Sequence, residues 1–174
     1  MDCIIFLDVD GVLNTRTTKP GDGVREVVLT RPFSTAVFQG VVETKKVAML
    51  RDTLEQCDAD LVVSSSWREA FANAADFAVA IGLVDPLADE PDFFHRHWRT
   101  EKKLSSTRAQ EIALWLAEHR KVRHYATLDD HDIFAREDRP EMQKRFVRTD
   151  ADVGLTHEDL RRVEALLGYS PDDH

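Results

Sequence analysis

Hydrophobic positions along this chain fall into two kinds of run. CIIFLDV (3–9) is short, unbroken and rich in β-branched residues, and Gly11 bounds it, so it predicts a strand buried on both faces. ADLVVSSSW (59–67), VRHYATLDD (122–130) and KRFVRTD (144–150) repeat that pattern, and LVDPL (83–87) is a weaker strand or a turn cut by Pro86. Between these runs the period becomes helical. Residues 43–57 set Val47, Leu50, Leu54 and Cys57 on one stripe, and 67–81 set Phe71, Ala75 and Ala78 on another. Residues 107–119 do the same with Ala109, Ile112, Ala113 and Leu116. Thr107 with Gln110, and Thr156 with Asp159, have capping-box spacing, and Gly168 follows the last helix (157–167) where a left-handed stop belongs. Residues 14–40 hold Pro20, Gly21, Gly23 and Pro32 and read as a flap, with REVVLT and STAVFQG as its hairpin. Residues 85–104 read as a substrate-facing loop.

Strands alternating with helices imply an α/β fold, a three-layer Rossmann-like parallel sheet with helices on both faces. The 174 residues make one domain of this kind, and neither 14–40 nor 85–104 is long enough for more than a minimal cap. Ligands of such sheets bind beyond the carboxyl ends of the strands. Three strands here end in polar groups: Asp8 and Asp10, Ser64 and Ser65, Asp129 and Asp130.

Composition narrows the partners. The formal net charge is −9, which disfavours broad nonspecific duplex binding, although HRHWRTEKK (95–103) is locally basic and aromatic. No apolar run reaches the roughly 20 residues of a membrane span. The N-terminal apolar stretch carries aspartates and lacks a basic leader, so no signal peptide is expected. Two isolated cysteines, Cys3 and Cys57, suggest a reducing, cytoplasmic compartment with no disulfide framework and no zinc site.

Four aspartates at one rim repel unless a cation is present, and oxygen ligands with spare water positions suit Mg²⁺. Such an ion would draw in phosphate. Arg108 opens the 107–119 helix, where it opposes the macrodipole; facing a phosphate there would offset that cost.

LDVDGV, SSSW, Arg108 ahead of AQEIALWL, and LDD, in this order, resemble the four signature motifs of the haloacid dehalogenase (HAD) superfamily of phosphatases. A finer resemblance, carried by LDVDGVLN, SSSWR, RAQEIALWL, LDDH and TDADVGLTHEDL, is to the HAD domain in Swiss Army Knife RNA repair proteins. The resemblance implies a HAD-like hydrolase, a Mg²⁺-dependent phosphomonoesterase. In it Asp8 attacks phosphorus to form an aspartyl-phosphate, and Asp10 moves the proton. Gly11 brings its backbone near the phosphate, and a serine of Ser64–Ser66 donates to a phosphoryl oxygen. Arg108 stands where the family more often has lysine, and Val12 where many members have threonine. Asp8, Asp10, Asp129 and Asp130 are the implied Mg²⁺ set. The implied substrate is a phosphorylated nucleic-acid end; a nucleotide or small phosphometabolite is the alternative, and an inactive interaction module a third.

Several positions keep a blander reading. Asp8-x-Asp10-Gly lacks the next alternate ligand of a calcium loop, because Val12 stands there. Asp129 and Asp130 alone would be a solvated turn, and the serines alone an N-cap. Lys102 and Lys103 compete with Arg108 as the neutralising base. Arg96 and Trp98, with Phe93, Phe94 and Arg99, either stack a base and hold a phosphate or pack as a loop. His95 and His97 lack a third histidine or a cysteine at ligand spacing and read as loop residues. Trp67 and Trp115 read as core.

Overall fold

The computed structural model describes residues 3–30, 35–86, 93–136 and 138–169. Five strands form one parallel sheet: β1 (Cys3–Leu7), β4 (Ala59–Val63), β5 (Phe94–Arg99), β6 (His124–Asp129) and β7 (Phe146–Arg148), in the order β5-β4-β1-β6-β7. The most apolar strand, β1, lies at the centre, as its burial on both faces requires. A separate antiparallel pair, β2 (Val24–Thr30) and β3 (Val37–Glu43), is the hairpin expected within 14–40.

Alternation along β1 divides the core. Ile5 and Leu7 pack with Val47, Leu50 and Leu54 of α1 (Thr44–Cys57), and with Leu160, Val163 and Leu167 of α5 (His157–Leu167). Ile4 and Phe6 pack on the other side with Ala109, Ile112 and Trp115 of α3 (Arg108–Glu118), where Phe6 meets Trp115 edge-on at 5.3 Å. Both capping boxes form, and Gly168 stops α5 at φ 82°.

Two expected elements differ. In place of one helix over 67–81 there is a 3-10 turn, Ser66–Glu69, and then α2 (Ala74–Ile81). Polar side chains divide them: Ser65 accepts from the Trp67 N–H, Arg68 turns back onto the Ser64 and Ser65 carbonyls, and Asn73 caps α2 through the Asp76 N–H. Ala75 is consequently exposed, and Phe77 is the buried anchor of α2. The second difference concerns 85–104. Residues 83–86 are not a strand, Leu87 lies outside the described residues, and the outer strand is instead FHRHWR, held beside β4 through Leu61–Phe94 and Val63–Arg99 pairing. Polar side chains are tolerated there because an edge strand faces solvent. A one-turn helix, α4 (Pro140–Gln143), precedes β7.

Phe77 is fully buried and packs against Phe71 (5.2 Å) and Phe94 (6.0 Å) between ring centroids. Phe77→Ala should destabilise the fold by about 3–5 kcal/mol, read from urea unfolding; a cost below about 1 kcal/mol would show that α2 does not anchor the edge strand.

Candidate active site

The apolar ladder stops in a single row. Leu7 is level with Val63 and Leu128, and those with Arg99 and Val147. One step on, the N–H groups of Asp8, Ser64 and Thr100 continue the ladder, donating to the carbonyls of Leu128 (2.9 Å), Leu7 (2.9 Å) and Val63 (3.1 Å). Asp129 is level with Arg148. Parallel register thus sets Thr100, Ser64, Asp8, Asp129 and Arg148 side by side across all five strands.

Asp8 and Asp129 are almost entirely buried, a costly place for two carboxylates. Arg108 Nη1 lies between them, 2.5 Å from Asp8 Oδ2 and 2.6 Å from Asp129 Oδ2. Burial works against the Arg108 charge, but the two carboxylates outweigh it and hold the guanidinium firmly protonated. One cation does not suffice for both acids: burial, with the Asp8 charge adding to it, pushes Asp129 up to about 6 despite Arg108. Of the basic groups weighed from the sequence, Arg108 is the one brought to the carboxylates; Lys102 pairs with Glu69 at 2.9 Å on the surface, and Lys103 is exposed.

Beyond β1 the chain turns at Gly11, which has φ 73°. A Cβ there would sit 2.5 Å from Asp130 Cγ, so glycine is needed for the Asp130 side chain to lie over the turn. Asn14 locks this turn with both ends of its amide: its oxygen accepts from the Gly11 N–H (2.9 Å), and its nitrogen donates to Asp10 Oδ1 (2.9 Å) and the Val41 carbonyl (2.8 Å). The Thr149 hydroxyl donates to the Gly11 carbonyl at 2.8 Å. Trp67 Nε1 donates to the other Asp10 oxygen, Oδ2, at 2.9 Å. The ring of Phe38 from the hairpin meets Trp67 edge-on at 4.9 Å, and Gly40 leaves room for the indole, since a Cβ there would clash at 2.4 Å.

A metal would find oxygen donors here. One ligand atom from each of Asp8, Asp129, Asp130 and His131 falls within 4.8 Å of the others. The Asp10 carboxylate, part of the set read from the sequence, is outside that group; its two oxygens accept from Asn14 and Trp67. His131 enters it instead, donating its backbone N–H to Asp129 Oδ1 (2.9 Å) and placing Nδ1 2.5 Å from Asp130. Hard carboxylate oxygens and a charge deficit at Asp129 fit a divalent ion such as Mg²⁺.

The serines separate. Ser65 spends its hydroxyl accepting from the Trp67 N–H, whereas the Ser64 hydroxyl, fully buried beside Asp8 in the row, has no hydrogen-bond partner. A buried hydroxyl left unpaired carries a desolvation cost that a phosphoryl oxygen would relieve. Below this turn, buried Arg68 holds the Ser64 and Ser65 carbonyls and forms an ion pair with Glu111 at 2.7 Å, joining the serine turn to the first turn of α3. Arg96 and Trp98 are not brought to the carboxylates. Trp98 packs against Phe77 and Phe94, and Arg96 borders a groove with His97 and His119 along α3.

Sequence reading left four positioning contacts unseen. Trp67 read as core, and it is buried, but its indole N–H is the polar handle. Asn14, Arg68 and His131 drew no notice. SSSWR and LDDH place Arg68 and His131 directly beside motif residues, which was the available signal.

No helix among the described residues is long and apolar enough to cross a membrane. No curated protein and no solved structure matches the chain. The family model described as "HAD domain in Swiss Army Knife RNA repair proteins" matches residues 4–160. That span takes in Asp8, the serine turn, Arg108 and the Asp129–Asp130 pair, and the parallel sheet with helices on both faces is the fold it requires: the chain belongs to this family of HAD domains.

Proposed function

We propose that this HAD domain is a phosphomonoesterase that works through an aspartyl-phosphate on Asp8 and acts on the phosphorylated end of a nucleic acid. The observation that supports it is the in-register row, which sets the buried Asp8 carboxylate beside the unpartnered Ser64 hydroxyl, with Arg108 reaching Asp8 from the start of α3.

An Asp8 carboxylate oxygen attacks phosphorus, and the bond from phosphorus to the ester oxygen breaks. Asp10 gives its proton to the departing oxygen. Water then attacks the phosphorus, Asp10 takes its proton, and cleavage of the Asp8–phosphorus link frees inorganic phosphate and restores the carboxylate. Asn14 and Trp67 hold Asp10 in one rotamer for both transfers. Ser64 donates to a phosphoryl oxygen, and Arg108 offsets charge as it develops. A Mg²⁺ held by Asp8, Asp129 and Asp130 would supply the remaining positive charge.

The nucleic-acid reading has its own support. Two adjoining cavities of about 410 and 370 Å³ share Arg16, Asp130 and Ala151, and the second is also lined by Arg148. The Arg16 side chain lies 3.9 Å from Asp152, with both side chains exposed. Cations beyond the carboxylates suit the next phosphodiester of a strand, which a mononucleotide lacks.

Purified protein should hydrolyse an aryl phosphate with Mg²⁺ and lose that turnover with chelator. Asp8→Asn should lower kcat by about a thousandfold or more, and retained turnover would end the covalent mechanism. Trp67→Phe removes the donor to Asp10 but keeps an aromatic ring against Phe38. A drop of about ten- to a hundredfold in kcat with KM unchanged is expected, while an altered KM alone would assign Trp67 to binding. A 3′- or 5′-phosphorylated oligonucleotide should be turned over with higher kcat/KM than a mononucleotide, and Arg148→Ala should erase that preference. Equal turnover of both by the unaltered protein would leave a nucleotidase or small-metabolite phosphatase.

A further inference from the structure

At the end of α3 remote from Arg108, the fold completes a cluster absent from any linear motif. His95 and His97 are two residues apart on β5 and so share a face; His119 follows α3 and supplies a third imidazole. One nitrogen from each ring lies within 4.8 Å of the others, and His97 Nδ1 is 2.5 Å from His119 Nε2.

The protonation of His119 follows from its partner. Its Nδ1 lies 2.6 Å from the Trp115 carbonyl oxygen, which can only accept, so Nδ1 carries a hydrogen and Nε2 is the nitrogen turned toward the cluster. A backbone carbonyl orienting the far nitrogen is the arrangement found behind metal-bound histidines. Trp115 also supplies rigidity. Its ring stacks on His119 at 3.8 Å, meets His95 edge-on at 4.9 Å, and its N–H donates to the His97 carbonyl at 3.0 Å. His95 Nδ1 accepts the His97 N–H at 3.1 Å, so His95 must give up that bond to offer its lone pair to an ion.

We propose that His95, His97 and His119 form a second metal site, separate from the carboxylate cluster, and that its occupant is Zn²⁺. Three neutral imidazoles suit a borderline ion and are poor ligands for Mg²⁺. Tetrahedral bonds of 2.0–2.1 Å put ligand nitrogens about 3.3 Å apart, well inside the present spread, and His97 is exposed on an edge strand where its ring can adjust. Arg96, Arg120 and Lys121 border the same grooves and Glu118 lines both, so affinity rests on the imidazoles more than on local charge. The ion would join β5 to the end of α3. A hydrogen shared by His97 and His119 is the competing way to satisfy these nitrogens.

The test uses the full chain, stripped with chelator and then held in excess Mg²⁺ so that the carboxylates are occupied. Calorimetric titration with Zn²⁺ should give one equivalent and a raised Tm. His97→Ala and His119→Ala should each weaken binding by about tenfold or more and remove the Tm rise, whereas His131→Ala should change neither. Circular dichroism identifies any variant that fails to fold, and His97→Gln then serves in its place. Zn²⁺ binding that survives the His97→Ala/His119→Ala double variant, that is lost in His131→Ala instead, or that is absent from the unaltered chain overturns the site.

Discussion

Two carboxylates stand side by side where a sheet has almost no solvent, and one guanidinium lies between them. The Asp8–Arg108–Asp129 contact constrains the rest of this architecture. Without a cation the pair would force one acid to take up a proton, because neighbouring charges in a buried setting disfavour each other's ionisation. With Arg108 alone the compensation is incomplete, which is why Asp129 stays above the usual carboxylate range. The site is therefore arranged around a shortage of positive charge. A phosphate dianion would deepen that shortage.

Register turns this local problem into a site. The row from Thr100 to Arg148 exists because β1, β4, β6 and β7 stop their apolar residues at one level, which β5 reaches with Arg99. A one-residue slip in any strand would send its polar residue to the opposite face, since side chains alternate. The elements behind the row keep that alignment. The buried Arg68–Glu111 pair fixes α3 against the serine turn, and hydrogen bonds to the Asn14 amide oxygen and from the Thr149 hydroxyl fix the turn after β1. Buried ion pairs are weak as sources of net stability, but removing one partner leaves an uncompensated charge, so they set geometry strongly. Arg68 fits that use: it specifies where the Ser64 backbone lies.

Much of this was legible in the chain because its signals are local. Short apolar runs marked the strands, 3.6-residue stripes marked α1 and α3, and two capping boxes marked the starts of α3 and α5 to the residue. Asp8, Asp129 and Arg108 could be read because each lies at an element boundary. What could not be read depends on contacts distant in sequence. The break in 67–81 is made by side chains folding back onto backbone, which period counting cannot register. FHRHWR looked like a loop because an edge strand need not be apolar. Counting back from Trp67 along SSSW favours Ser65 over Ser64, but the Ser65 hydroxyl is a cap and the Ser64 hydroxyl is the unpartnered one. His95 and His97 lacked a third partner within ligand spacing, and His119 reaches them only after β5 and α3 pack.

Trp67 shows why a core residue and a site residue need not be different things. Its ring is buried against Phe38 and beneath Gly40 of the hairpin, and its one polar atom bonds Asp10. Asn14 performs the matching task from the other side, tying Asp10 to the Val41 carbonyl of the same hairpin. The hairpin therefore reaches Asp10 through two independent routes, one aromatic and one hydrogen-bonded. An insertion that merely covered the sheet edge would need neither. Because Asp10 takes its rotamer from groups the hairpin supports, the position of β2 and β3 and the position of the Asp10 carboxylate are coupled, and a displacement of the hairpin would act on Asp10 without touching it.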